Sequence, residues 1–159
     1  MSEKAPVTQA IRCLRQQKVP FGEHLYAYEE KGGTAVSARE LGVDEHCVIK
    51  TLIMEDEKKQ PLVVLMHGDK EVSTKNLARL IGCKTIAPCA PEVANKHSGY
   101  LVGGTSPLGT KKTMPVYVQQ SILDLPLIYL NGGKRGFLVS LAPQALASLL
   151  PVQLVDVIA

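Results

Sequence analysis

The chain has 159 residues, is 45% hydrophobic and 21% charged, and carries a formal net charge of +3. That length suits a single domain with its own core, and that composition excludes a disordered chain. No apolar run approaches the ~18 residues of a membrane-spanning helix. The stretch Met1 to Val7 has no signal-peptide core, and the four cysteines at 13, 47, 83 and 89 are too few for a disulfide scaffold, so the expectation is reduced thiols, a cytoplasmic location and no membrane partner.

Val7, Ala10, Ile11 and Leu14 recur at helical spacing, which predicts an amphipathic helix over 6–17. Phe21 to Tyr28 alternates and places His24, Tyr26 and Tyr28 on one face of a strand. After the loop Lys31-Gly32-Gly33, Ser37 with Glu40 three residues on reads as a capping box for a short helix that stops at Gly42. Cys47 to Met54, the charged turn Glu55 to Gln60 and the apolar run Leu62 to Met66 read as a hairpin. Ser73 caps a helix bearing Leu77, Leu80 and Ile81 and ending at Gly82. Lys84 to Ala87 is a short strand, and Pro91 opens a helix that stops at Gly99.

The second half reads mostly as strand: Tyr100 to Val102, Pro115 to Gln119, Leu127 to Leu130 and Phe137 to Leu141. The segment 103–109 is turn-rich, and Asn131 to Gly136 is a hairpin turn. Pro143 opens a last helix to Leu150, and Val152 to Ile158 is a final strand. Strands and helices mix without βαβ alternation, which predicts a mixed α/β (α+β) fold, one domain over 1–159, built on a single curved sheet with short helices around it.

Charge is unevenly placed. Residues 1–79 hold 12 basic and 12 acidic side chains, whereas residues 80–159 hold 6 basic and 3 acidic, so the surplus lies in the second half. Such a local surplus suits a phosphate-bearing partner, and it equally suits an ordinary solvated surface. The histidines and cysteines show no Cys-x-x-Cys and no His-x-x-x-His, so no metal and no cofactor are expected. There is no Gly-x-Ser-x-Gly elbow, and neither glycine cluster has the spacing of a nucleotide fingerprint or a phosphate-binding loop.

Two features stand out. Gly103 to Gly109 and Gly132 to Gly136 let backbone N–H groups converge on an anion or oxyanion, with Lys111, Lys112, Lys134 and Arg135 close in sequence. Read without a ligand, they are two turns with solvated lysines. Lys50 shares its strand face with Val48 and Leu52, an otherwise apolar set, which points it toward a pocket holding a phosphate or a carbonyl. Facing outward it would be an ordinary surface lysine. Tyr26 supplies an aromatic wall for either case.

The runs Ser98-Gly99-Tyr100-Leu101-Val102-Gly103-Gly104-Thr105-Ser106-Pro107-Leu108-Gly109 and Tyr129-Leu130-Asn131-Gly132-Gly133-Lys134-Arg135-Gly136 resemble the signature of the YbaK family of editing domains. Val48-Ile49-Lys50-Thr51-Leu52 resembles its lysine-bearing strand and His24-Leu25-Tyr26 its first strand. The resemblance covers nearly the whole chain, and its four landmarks come in family order. It implies a closed or nearly closed, barrel-like antiparallel-rich sheet. It also implies a trans-acting aminoacyl-tRNA deacylase that removes a small, wrongly attached amino acid. Cysteine on proline tRNA is the leading substrate and alanine or serine the alternative. A non-catalytic tRNA- or synthetase-binding module and a binder of an anionic metabolite are readings of other classes. The partners implied are mischarged tRNA and prolyl-tRNA synthetase.

Carried over by residue, Lys50, Gly103 and Gly104 become the catalytic set. Tyr26, Ser106, Pro107, Asn131, Gly132 and Gly133 form the aminoacyl pocket, and Lys111, Lys112, Lys134 and Arg135 contact tRNA. No protein nucleophile is evident, so water or the substrate's own thiol attacks the ester, the latter making the reaction formally a lyase's. The chain departs from the family in carrying Asn131 where serine is frequent and Leu138 where a carboxylate is frequent.

Overall fold

Helix α1 (Gln9–Gln16) starts where the Thr8 hydroxyl accepts from Ile11 N at 3.2 Å, and it buries Ala10, Ile11 and Leu14. The computed structural model describes residues 5–159, so the polar residues Met1 to Lys4 lie outside the described part. Val7 falls out of the expected stripe: it precedes the cap and is 55% exposed.

Strand β1 (Gly22–Leu25) is shorter than its alternation suggests. Tyr26 N donates to Gly136 O at 2.9 Å, outside the ladder, so Tyr26 and Tyr28 follow the strand as extended chain. Helix α2 (Gly33–Leu41) corrects the capping box. It begins four residues before Ser37, whose buried hydroxyl donates back to Gly33 O (3.4 Å) and Thr34 O (3.2 Å). A mid-helix serine satisfies itself this way, and its side chain is then unavailable as a cap.

A single 3-10 turn, Glu45–Cys47, leads into β2 (Ile49–Asp56), which pairs antiparallel with β3 (Pro61–His67). The Asp56 carboxylate fixes the charged turn by accepting from Lys58 N at 2.8 Å and Gln60 N at 3.0 Å. Helix α3 (Thr74–Ile81) is capped by Ser73 and stopped at Gly82, as its sequence indicates. β4 (Ile86–Pro88) pairs with β2, and α4 (Pro91–Ser98) runs from its proline to Gly99.

Residues Tyr100 to Val102, expected as a strand, are coil and turn. β5 (Val116–Gln119), β6 (Ile128–Lys134) and β7 (Phe137–Leu141) follow. The expected final helix is a 3-10 turn, Pro143–Ala145, running into α5 (Leu146–Leu149), and β8 (Val152–Val155) stops short of Ile158. β6 extends to Lys134 through an irregular register between Asn131 and Lys134, so the turn itself is only Arg135-Gly136.

The strands form a three-stranded sheet, β1-β7-β6, and a five-stranded sheet, β4-β2-β3-β5-β8. The first and the β4-β2-β3 part of the second are antiparallel, whereas β3–β5 and β5–β8 are parallel. One isolated parallel bridge, Val48 to Tyr129, links the two sheets. Among the described residues no pairing joins β1 to β8, so the sheet is not closed into a barrel. The main core lies between the two sheets and helices α1, α4 and α5. A second core lies under α3, on the other face of the larger sheet. Buried on both faces, β3 reads as an unbroken apolar run. His67 at its end is fully buried and satisfied, with its ring nitrogens 2.8 Å from His46 O and 2.7 Å from Ser121 Oγ.

Candidate functional site

The two glycine-rich segments, separate in sequence, interlock. A methyl group on Gly104 would stand 2.9 Å from Arg135 N and 3.0 Å from Lys134 C, so only glycine allows the backbones to approach this closely. Asn131 stitches the junction: its Nδ2 donates to Gly103 O at 2.9 Å, and its Oδ1 accepts from Gly133 N at 2.8 Å. Arg135 braces the rim, donating from Nε to Val102 O at 2.9 Å with its guanidinium 5.5 Å from the Tyr28 ring centre.

The backbone donors differ. Gly104 N–H is spent on Leu101 O at 2.8 Å and corrects the expectation of a converging pair. Gly103 is exposed at φ +94°, and its N–H meets no acceptor among the described residues. Ser106 is fully buried and accepts from Leu108 N at 3.2 Å, and Pro107 is buried beside it, so both shape the loop from within. Gly132 lies under the Phe137 ring and its carbonyl accepts from Thr8 Oγ1, while Gly133 (φ +100°) lies against Tyr100 and Thr8.

Lys50 stands on the β2 face that also carries Val48 and Leu52, between the cluster of Val48, Ala38 and Leu138 and the core under α3. Its side chain is 19% exposed and its Nζ lies 3.3 Å from the outward carboxylate of Glu71. An isolated parallel bridge joins Val48 to Tyr129, two residues before Lys50 on one strand and two before Asn131 on the other. Tyr26 packs against Val48, Ala38 and Leu138. Burial pushes its phenol pKa up. Leu138, where a carboxylate is frequent in the resembling family, is buried opposite Asn131 and His24 and makes this wall apolar.

Sequence reasoning missed one polar pair on the same wall. His24 Nε2 lies 2.8 Å from Ser140 Oγ, and the His24 ring is 5.2 Å from that of Tyr129. Burial lowers the His24 pKa and favours its neutral form. The partners lie on different strands, 116 residues apart, so no local motif announces them.

The basic residues divide. Lys134 and Arg135 stand exposed on the glycine rim. Lys111 lines a separate cavity of about 310 Å³ with Gln9, Ser98, Gly99, Tyr100, Gly109 and Thr110, and Lys112 is exposed next to it. Neither Lys50 nor Tyr26 lines that cavity.

These features define a mixed α/β domain with an exposed glycine at Gly103, an apolar wall at Val48 and Leu138, and a half-buried lysine on β2. Within that class the chain belongs to the aminoacyl-tRNA editing domain family, which matches residues 29–149. Over 151 residues it is 34% identical to EbsC of Enterococcus faecalis, a protein provisionally named a Cys-tRNA(Pro)/Cys-tRNA(Cys) deacylase, covering 94% of this chain and 92% of that one. It is 38% identical over 115 residues to a proline–tRNA ligase of Thermodesulfovibrio yellowstonii, covering 71% of this chain and 19% of the ligase. A crystal structure provisionally described as a trans-editing enzyme for prolyl tRNA synthetase shares the fold, with a TM-score of 0.83 at 22% identity over 98% of this chain and 99% of that one. The chain is thus a YbaK-type editing protein of the deacylase class.

Proposed function

We propose that the protein acts in trans on mischarged tRNA and removes a small amino acid, with cysteine on proline tRNA as its leading substrate. The observation that carries this reading is the joint position of Lys50 and the Gly103 N–H. Asn131 ties to Gly103 O at 2.9 Å, and the parallel bridge Val48–Tyr129, two residues before each of Lys50 and Asn131, supports their being neighbours. In this reading a cation and a backbone donor flank one site beside an apolar wall.

The substrate is an ester between an amino acid and a ribose hydroxyl. Its carbonyl oxygen gains negative charge as the bond is attacked, and the Gly103 N–H is suited to donate a hydrogen bond to that oxyanion. Lys50 holds the carbonyl or the phosphate–ribose end of the tRNA. With a cysteinyl substrate the thiolate attacks its own carbonyl: the S–C bond forms, the C–O bond to ribose breaks, and the ribose oxygen takes a proton. With alanine, water attacks instead. Val48 and Leu138 give this wall an apolar surface suited to a small side chain, with alanine or serine as the alternative to cysteine. Lys134 and Arg135 on the rim suit the acceptor-end phosphates, and the likeness to prolyl-tRNA ligases supports that synthetase as a second partner.

A deacylation panel tests this: cysteine, alanine and serine on proline tRNA, and cysteine on its own tRNA, with wild type and Lys50→Ala. The expected result is turnover of Cys-tRNA(Pro) and a roughly hundredfold slower variant with an unchanged fold, the loss of about 3 kcal/mol of transition-state stabilisation. Full activity in Lys50→Ala would return Lys50 to the surface. No turnover by wild type on any ester would leave a binding module.

A further inference from the structure

We propose that Glu55, Cys89 and His97 form a binding site for one divalent transition-metal ion of the zinc class, apart from the editing site. One ligand atom from each residue lies within 4.8 Å of the other two. The fold makes this meeting in three steps. β4 pairs with β2 so that Glu55 opposes Ala87, and Cys89 N donates to Ile53 O at 3.0 Å, which pins Cys89 to the same face as Glu55. Helix α4 then crosses that face. Its buried Ala94 packs in the main core with Ile53 and, at the edge, Cys89. His97 follows Ala94 by three residues and so leans to the same side of the helix.

The donor set selects the ion. A thiolate, an imidazole and a carboxylate together suit Zn²⁺ or Co²⁺, whereas Mg²⁺ and Ca²⁺ take oxygen alone. With metal–sulfur near 2.3 Å and metal–nitrogen near 2.0 Å, ligand atoms around a tetrahedral ion sit roughly 3.5 Å apart, so no pair of the trio need close by more than about 1.3 Å on binding. Three protein ligands leave a fourth position for water. Cys89 coordinates as thiolate, and its proton passes to solvent as the metal–sulfur bond forms. The Lys59 ammonium, 3.3 Å from Glu55 Oε1 and 80% exposed, withdraws into water at little cost.

The site is separate from the editing wall. Lys50 and Glu55 lie five residues apart on β2 with opposite parity, so they occupy opposite faces roughly 17 Å apart. An ion here joins β2, the residue after β4, and α4, and it therefore stabilises the folded state.

The test is a titration of the full, tag-free chain with Co²⁺. The expected result is one ion per chain, with the near-ultraviolet thiolate-to-cobalt charge-transfer band and the visible bands of a tetrahedral centre, all erased by stoichiometric Zn²⁺. Cys89→Ser and His97→Gln should each weaken binding at least tenfold, whereas Cys83→Ser should leave it unchanged. Zinc should raise the Tm of wild type and not that of Cys89→Ser. Absence of the thiolate band, or its survival in Cys89→Ser, would overturn the site. Should Cys89→Ser fail to fold, His97→Gln decides by the same two readouts.

Discussion

Gly103-Gly104 and Gly132-Gly133 look alike in sequence and serve unlike ends. The second pair is consumed by packing: a methyl on Gly132 would stand 2.4 Å from the Phe137 ring, and one on Gly133 would stand 2.8 Å from Tyr100. The first pair is divided: Gly104 is buried against the Lys134–Arg135 backbone and holds the two segments together, whereas Gly103 is exposed and its N–H meets no acceptor among the described residues. Two adjacent glycines therefore report a close approach, and only the neighbours reveal whether a ring or another stretch of backbone makes it.

The sharpest way to break this contrast is Gly132→Ala. The ring of Phe137, itself fully buried, has no room to yield, so stability should fall by about 3 kcal/mol, the upper range of overpacking. Activity should fall only in step with the folded fraction, which denaturant midpoints and deacylation rates on the same preparation compare. Next comes Gly103→Ala. Its added methyl meets the Tyr28 hydroxyl, a movable side-chain end, at 2.6 Å, and φ is +94°, so stability should fall by about 1–2 kcal/mol. Deacylation should fall more than tenfold beyond that loss. Equal losses in the two assays would reduce Gly103 to a turn residue. The smallest effect is that of Arg135→Ala. It removes the brace on Val102 O, so Tm should barely move while KM for charged tRNA rises in a salt-dependent manner and amino-acid ranking stays fixed.

The helix limits were the most legible part of the fold. Ser73, Gly82, Pro91 and Gly99 each stand where their chemistry puts them, because a cap is decided by a few adjacent atoms. Ser37 misled because the same hydroxyl can cap a helix start or fold back onto its interior, and the residues ahead of it decide which. The parallel pairing of β3 with β5 was not legible, since it joins segments about fifty residues apart and both already read as buried strands. At the site, the apolar face around Lys50 was visible from alternation. The acceptor of Gly104 N–H, the His24–Ser140 pair and the Glu55–Cys89–His97 trio were not. The pair and the trio depend on chain crossings that leave no local spacing, and the sequence expectation of no metal rested on spacing alone, whereas the Gly104 bond to Leu101 O is a local turn that the glycine spacing does not specify.

The β3-β5-β8 arrangement also governs the order in which the molecule assembles. The β2–β3 hairpin can close as soon as its turn is made, whereas β5 must wait for the whole stretch through α3, β4 and α4, and β8 for β6 and β7 as well. Until then β3 exposes an apolar edge, and parallel pairing across such distances is slow. Ala159 N donates to Glu71 O at 2.9 Å, and Glu71 carries the carboxylate beside Lys50. The ionic partner of Lys50 is thus anchored through its backbone to Ala159, beyond the last strand of the larger sheet.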